Sequence, residues 1–134
     1  MHIHILQVTR PQGLRSNKDT NSGYGTVNNF GQGVVARLLT YFKNKTMNFP
    51  EILPAYMNAI LTNQNHKVTF GQNQTNPDAQ IVIIPTSIIS FHAELSCAEQ
   101  IKQVSPHIQV GFLGAFASVN PELYVTKGDF VVRG

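Results

Sequence analysis

The residue types able to do chemistry are few in this chain and thinly spread. Five histidines and one cysteine are present, and the aspartates are Asp19, Asp78 and Asp129. His2 and His4 stand two apart on the first predicted strand. Alternate strand residues share a face, so the two could ligate a metal, although placement as ordinary strand residues is the simpler reading. His92 and His107 border a predicted helix, as caps or solvent-facing groups. Cys97 falls among apolar neighbours inside a predicted helix and reads as core rather than nucleophile. One cysteine also excludes an internal disulfide or a four-cysteine zinc or iron–sulfur site within this segment. The aspartates are not clustered at strand ends as phosphoryl transfer would require. Gly23-Tyr24-Gly25 begins like a dinucleotide fingerprint, but position 28 is Asn28 and the segment does not join a strand directly to a helix. No phosphate-binding loop, G-x-S-x-G elbow or H-E-x-x-H motif occurs. No pair of groups forms a catalytic constellation, so no catalytic or metal-ligating residue is assigned.

What could bind is backbone and small side chains, and these gather where predicted strands end. "IIPTSII" puts Thr86 and Ser87, followed by Ile88, at one such end, and "GFLGAF" puts Gly114, Ala115 and Phe116 at another. Thr9-Arg10 and Arg133-Gly134 end two more. Small residues let a large flat ligand approach the backbone, and hydroxyls and amides supply its hydrogen bonds. A Gly114 that does no more than make a tight turn is the competing reading.

The elements that must position these residues follow from periodicity. Strands are read at Ile3–Val8, Lys67–Phe70, Gln80–Pro85, Ile108–Leu113 and Asp129–Val132. Gln80–Pro85 is nearly continuously apolar, the mark of a strand covered on both faces. Val34, Val35, Leu38, Leu39 and Phe42 stripe a helix over 33–44. Asn48-Phe49-Pro50-Glu51 is a helix start, with a capping amide, a first-turn proline and an acid at the positive end of the dipole. Ile52, Tyr56, Ala59 and Ile60 are its expected buried face, and Asn65 its left-handed end. Leu95, Ala98 and Ile101 stripe a helix running to Pro106, and Val119–Tyr124 forms a short one. Strands alternating with helices imply right-handed crossovers and a parallel sheet covered on both faces. The fold class expected is α/β, a flavodoxin-like (Rossmann-like) three-layer sandwich whose five-stranded parallel sheet has the order 2-1-3-4-5, with residues 11–49 an irregular insertion carrying one helix. Ligands of such sheets lie beyond the carboxyl ends of the strands.

Composition sets the outer bounds. The 134 residues make one domain, large enough for a core without staples. Only 13% are charged, about half the usual share. The net charge of +3 is uneven: Arg10, Arg15, Lys18, Arg37, Lys43 and Lys45 face only Asp19 between residues 10 and 45, a pattern read as a solvated basic loop. Without stacking aromatics or a zinc-finger, RRM or helix-turn-helix pattern, nucleic acid is not the expected partner. No apolar run reaches membrane-spanning length and the N-terminus lacks signal-peptide features, so a cytoplasmic protein with no membrane partner is expected.

The succession "NHKVTF", "PDAQIVIIPTS", "SPHIQVGFLGAFASVNPEL" and "GDFVVRG" resembles the N-terminal B12-binding domain of cobalamin-dependent radical SAM proteins, whose signatures run GHxV, PDxV…S, P…vvlGG and DxVvrGEGE. It covers residues 50–134 well and 1–11 loosely. Asn65 stands for the glycine before HxV and Ala115 for the second glycine of the GG pair. The resemblance implies a cobalamin-binding module of a radical SAM enzyme, a methyltransferase, with the corrin at the strand ends. Thr9, Arg10, Thr86, Ser87, Ile88, Gly114, Ala115, Phe116, Arg133 and Gly134 are then the cofactor-binding residues. It also implies that a radical SAM domain holding S-adenosylmethionine and a 4Fe-4S cluster follows residue 134, as part of the same polypeptide. The D-x-H-x-x-G loop of methionine-synthase-like B12 domains is absent, so no histidine of the chain is expected on cobalt. The alternative is a flavodoxin-like domain that binds a nucleotide or a protein partner without catalysis.

Overall fold

A computed structural model of the chain describes residues 1–9, 16–18, 26–27, 30–46 and 52–133. Strands β1 (His2–Gln7), β2 (Lys67–Gln72), β3 (Ile81–Pro85), β4 (Gln109–Leu113) and β5 (Phe130–Val132) form one parallel sheet in the order β2-β1-β3-β4-β5. This is the expected flavodoxin-like 2-1-3-4-5 arrangement. A separate two-stranded antiparallel ribbon pairs Ser16–Asn17 with Thr26–Val27. Helices α1 (Val34–Thr46), α2 (Ile52–Asn63), α3 (Phe91–Val104), α4 (Ala115–Val119) and α5 (Pro121–Val125) complete the described elements, with a 3-10 turn at Ile88–Ser90 before α3. No helix among the described residues is long and apolar enough to cross a membrane.

One face of the sheet carries the main core. Leu6 and Val8, Val82 and Ile84, and Val110 and Phe112 pack there against Ala98 and Ile101 of α3, Ala117 of α4 and Tyr124 of α5. Tyr124 stacks edge-on against Phe91 and Phe116 and at a tilt against Phe112, an aromatic cluster in the geometry that ring quadrupoles favour. On the opposite face Ile3, Ile5 and Ile83 are buried, with α2 over the β1–β2 side, where Pro54 is buried and faces Ile5 and Phe70. Ile83, aligned with Ile5 on one side and Gly111 on the other, is only 5% exposed. The apolar run of β3 is thus central.

Three local outcomes differ from the sequence expectation. The face expected to bury α2 is turned outward: Ile52, Tyr56, Ala59 and Ile60 are exposed, and Leu53, Pro54, Met57 and Leu61 face inward. The two stripes are one residue out of phase, and in a helix apolar nearly all round the amplitude of the pattern cannot choose between them. The expected single helix Val119–Tyr124 is two short helices, broken at Asn120, because Pro121 has no N–H to continue the first and starts the second at its first turn. The stripe of α1 is exposed along its length, with Val34, Val35, Leu38, Leu39 and Phe42 all open. The expected cap Asn48–Glu51 lies outside the described residues. The end of α2 is as expected: Asn65 has φ 60° and the His66 N–H reaches back to the Leu61 carbonyl.

His2 and His4 do share a face, and Thr69 on β2 stands between them. Its Oγ1 lies 3.0 Å from His2 Nε2 and 2.9 Å from His4 Nδ1. His4 Nε2 donates to the Gln74 carbonyl and His2 Nδ1 to the Asp78 carbonyl, each at 3.1 Å. These rings bind the edge strand and its following loop to β1. Gly71 is required by the same contact, since a Cβ there would fall 2.6 Å from His4 Nε2. Burial holds the His4 imidazole below its ordinary pKa, the Gln74 carbonyl acts the other way, and His2 adds to the lowering. A folded-state pKa below the unfolded one means that the unfolded chain takes up the proton first. The stability this group contributes is therefore present above about pH 6.5 and is lost as pH falls toward the folded-state value. Urea unfolding at a series of pH values should show stability declining below about pH 6.5, with a shallower decline in His4→Gln.

Candidate functional site

At the carboxyl ends of β3 and β4, Lys18, Ile52, Leu53, Tyr56, Thr86, Gly114 and Ala115 line a cleft of about 360 Å³. This is where open α/β sheets receive ligands. The exposed residues of α2 form its apolar wall, which explains why Ile52 and Tyr56 are out of the core. The other wall comes from the loop after β3 and the start of α4, elements fixed by the sheet register.

The cleft brings together Thr86, Gly114 and Ala115 of the positions expected from sequence. Their roles are not equal. Thr86 is buried, and both its N–H and its hydroxyl donate to the Leu113 carbonyl, at 2.7 and 3.1 Å, so its polar groups tie the β3 end to the β4 end. Gly114 has φ 141°, and a Cβ there would lie 2.6 Å from Thr86 Oγ1. Only glycine fits that turn, and the space it leaves is filled by Thr86. Ala115 is the exposed member, one residue further on. Ser87 is fully buried, with its N–H 3.0 Å and its hydroxyl 3.3 Å from Glu94 Oε1. Ile88 is exposed, while Phe116 packs against Phe91 and Tyr124 beside the core. Thr9 is joined through its N–H and hydroxyl to the Asn73 side chain, and exposed Arg133 donates through Nε to the Ser118 carbonyl at 3.3 Å. Arg10 and Gly134 lie outside the described residues.

The polar centre of this region was not visible in the sequence. Lys18, expected in a solvated basic loop, is 3% exposed, and its Nζ donates to Glu94 Oε1 at 2.8 Å and to the Pro85 carbonyl at 2.6 Å. Glu94, on α3, is completely buried. Burial pushes its carboxyl up, while the charge and hydrogen bond of Lys18 and the donors of Ser87 pull it back. The ion pair holds Lys18 at the end of β3, since a buried carboxylate left without its partner is strongly destabilising. The other described cations of the stretch behave as expected: Arg37 and Lys45 are exposed, and Lys43 lies 5.0 Å over the Phe30 ring.

Beside the pair, the fully buried Tyr124 hydroxyl has no hydrogen-bond partner among the described residues. Burial and then the Glu94 charge hold this phenol far above its ordinary range, with the Thr86 hydroxyl acting the other way. Cys97 is half-buried, its thiol raised first by burial, which suits a packing role. Among the described residues no three His, Cys, Asp or Glu side chains gather to hold a metal ion. What the site offers is an apolar shelf, an exposed Ala115 edge and one neutralised ammonium. That equipment suits binding and orientation. No protein-family model, curated protein or solved structure matches the chain.

Proposed function

We propose that this chain is a cobalamin-binding module that receives one edge of the corrin in the cleft at the β3 and β4 strand ends. One observation carries the reading: Thr86, Gly114 and Ala115 meet the exposed Ile52 and Tyr56 in a single concave site. A cavity of about 360 Å³ is at the small end of ligand pockets, which run to roughly 1,000 Å³. It is open on one side, so a larger planar ligand would be gripped along an edge with its remainder over the mouth. Ile52, Leu53 and Tyr56 would supply apolar contact and Ala115 the close approach. The cofactor would bring the chemistry, a cobalt-bound methyl group. In this reading the module belongs to a radical SAM methyltransferase whose cluster and S-adenosylmethionine are held elsewhere in the polypeptide, and the protein works in the cytoplasm.

Incubation with hydroxocobalamin followed by gel filtration tests the reading directly. Co-elution of the cobalamin visible spectrum with the protein is expected, and its absence at saturating cofactor would overturn it. A second expectation concerns the metal. The chain has no D-x-H-x-x-G loop, and His2 and His4 are already engaged with Thr69 and the Gln74 and Asp78 carbonyls. The bound Co(II) form should therefore give an electron paramagnetic resonance spectrum without nitrogen hyperfine splitting from a protein imidazole. Splitting that vanished on replacing any one histidine would contradict this.

A protein-partner reading has one observation in its favour, the exposed apolar stripe of α1. It predicts no cobalamin uptake, so the same gel-filtration experiment separates the two.

A further inference from the structure

The charged group among the described residues of the cleft is the Lys18 ammonium. An ammonium carries three donors. Two are used, by Glu94 Oε1 and the Pro85 carbonyl, and the third has no acceptor among the described residues. Lys18 lines the cleft, and the remaining lining is Ile52, Leu53, Tyr56, Thr86, Gly114 and Ala115. Thr86 has already given its donors to Leu113, which leaves the ammonium and the exposed Tyr56 phenol as the side-chain donors of the cleft among the described residues, the ammonium being the charged one.

Its charge, however, is already balanced. Glu94 Oε1 lies 2.8 Å away, and both partners are almost wholly removed from water. An anion brought to the third donor would approach the Glu94 carboxylate as well, in surroundings where charge repulsion is poorly screened. A neutral acceptor gains the hydrogen bond without that repulsion. We propose that Lys18 is the polar anchor of the cleft and that it selects a neutral carbonyl acceptor, an amide above all, over a phosphate or a carboxylate. This rests on the cleft being the ligand site and deepens that reading: the periphery of cobalamin carries carboxamide arms, which are acceptors of this class. It also gives the two-stranded ribbon a purpose, since Lys18 directly follows its first strand, Ser16–Asn17.

The test uses the full 134-residue chain and three small probes, N-methylacetamide, acetate and inorganic phosphate, followed through backbone amide NMR shifts of Leu53 and Ala115. N-methylacetamide should shift both signals, and acetate and phosphate at equal concentration should not. Glu94→Gln, which uncovers the ammonium charge, should reverse that order in favour of phosphate. Lys18→Met/Glu94→Gln removes the donor and the unpaired carboxylate together, leaves an acceptor for the Ser87 N–H, and should lose the N-methylacetamide response while weakening cobalamin at least tenfold. Phosphate or acetate shifts as large as those of the amide in the parent chain would overturn the proposal. So would a folded double variant that binds cobalamin within twofold of the parent. If the parent responds to N-methylacetamide but takes up no cobalamin, the role of Lys18 stands and the identity of the cofactor falls. If the double variant fails to fold, the probe order in the parent and its reversal in Glu94→Gln decide the matter alone.

Discussion

Ile83→Asp is expected to leave the chain unfolded. The residue sits in the middle strand, aligned with Ile5 and Gly111, with 5% of its surface open. An aspartate there loses the burial of the isoleucine and places a carboxyl inside the sheet, between β1 and β4. A group of that kind costs several kcal/mol, against a total stability of about 5–15 kcal/mol for a domain of ordinary size. Far-ultraviolet circular dichroism and urea titration would show the loss. An Ile83→Asp protein as stable as the parent would mean that β3 is not the centre of the sheet. Ile83→Val, which removes one methylene, should cost only about 0.5–1.5 kcal/mol and serves as the control for general sensitivity of the strand.

Ala115→Phe has the opposite profile. Ala115 is exposed, begins α4 and lines the cleft, whereas the core contacts of that helix come from Phe116 and Ala117. A phenyl group at 115 would fill the space beside Gly114 without entering the core. Cobalamin binding should be abolished while the thermal midpoint stays within about 2–3 °C, as expected for an exposed substitution worth less than about 0.5 kcal/mol. Ala115→Gly removes a methyl from the same edge and should bind as well as the parent or better. Visible difference spectra on cobalamin addition give the affinities, and calorimetry the midpoints. Should Ala115→Phe bind as tightly as the parent, the ligand does not lie against this edge, and the strand-end placement must be withdrawn.

The elements legible in the sequence were those with a local cause. The apolar run of β3, the left-handed Asn65 and the alternation of strands with helices each depend on neighbours a few residues away, and together they specify the parallel order that is observed. The phase of α2 was not legible, because Leu53, Pro54, Met57 and Leu61 make as good a stripe as Ile52, Tyr56 and Ile60, and only docking on β1 and β2 chooses between them. Thr86, Gly114 and Ala115 could be placed at the site from their position after strands. That the Thr86 hydroxyl and Gly114 serve one another, and that Ser87 serves Glu94, depends on how adjacent strand ends meet. Lys18 and Glu94 carried no usable signal. A lysine in a polar loop and a glutamate in a helix are ordinary surface residues until the tertiary fold joins them.

That joining has a temporal side. Lys18 and Glu94 are 76 positions apart. At the usual 5–20 residues per second the ribosome needs roughly 4 to 15 s to pass from one to the other. Throughout that interval the lysine has no buried partner, and the ribbon it belongs to has nothing to close upon. Thr86 and Ala115 must also emerge before the cleft has its second wall. The C-terminal wall of the cleft is therefore the last part to be made. The cleft is whole only after α4 has left the ribosome exit tunnel, and a polypeptide stalled before residue 94 would have β1, β2 and β3 but neither Glu94 nor the Gly114–Ala115 wall.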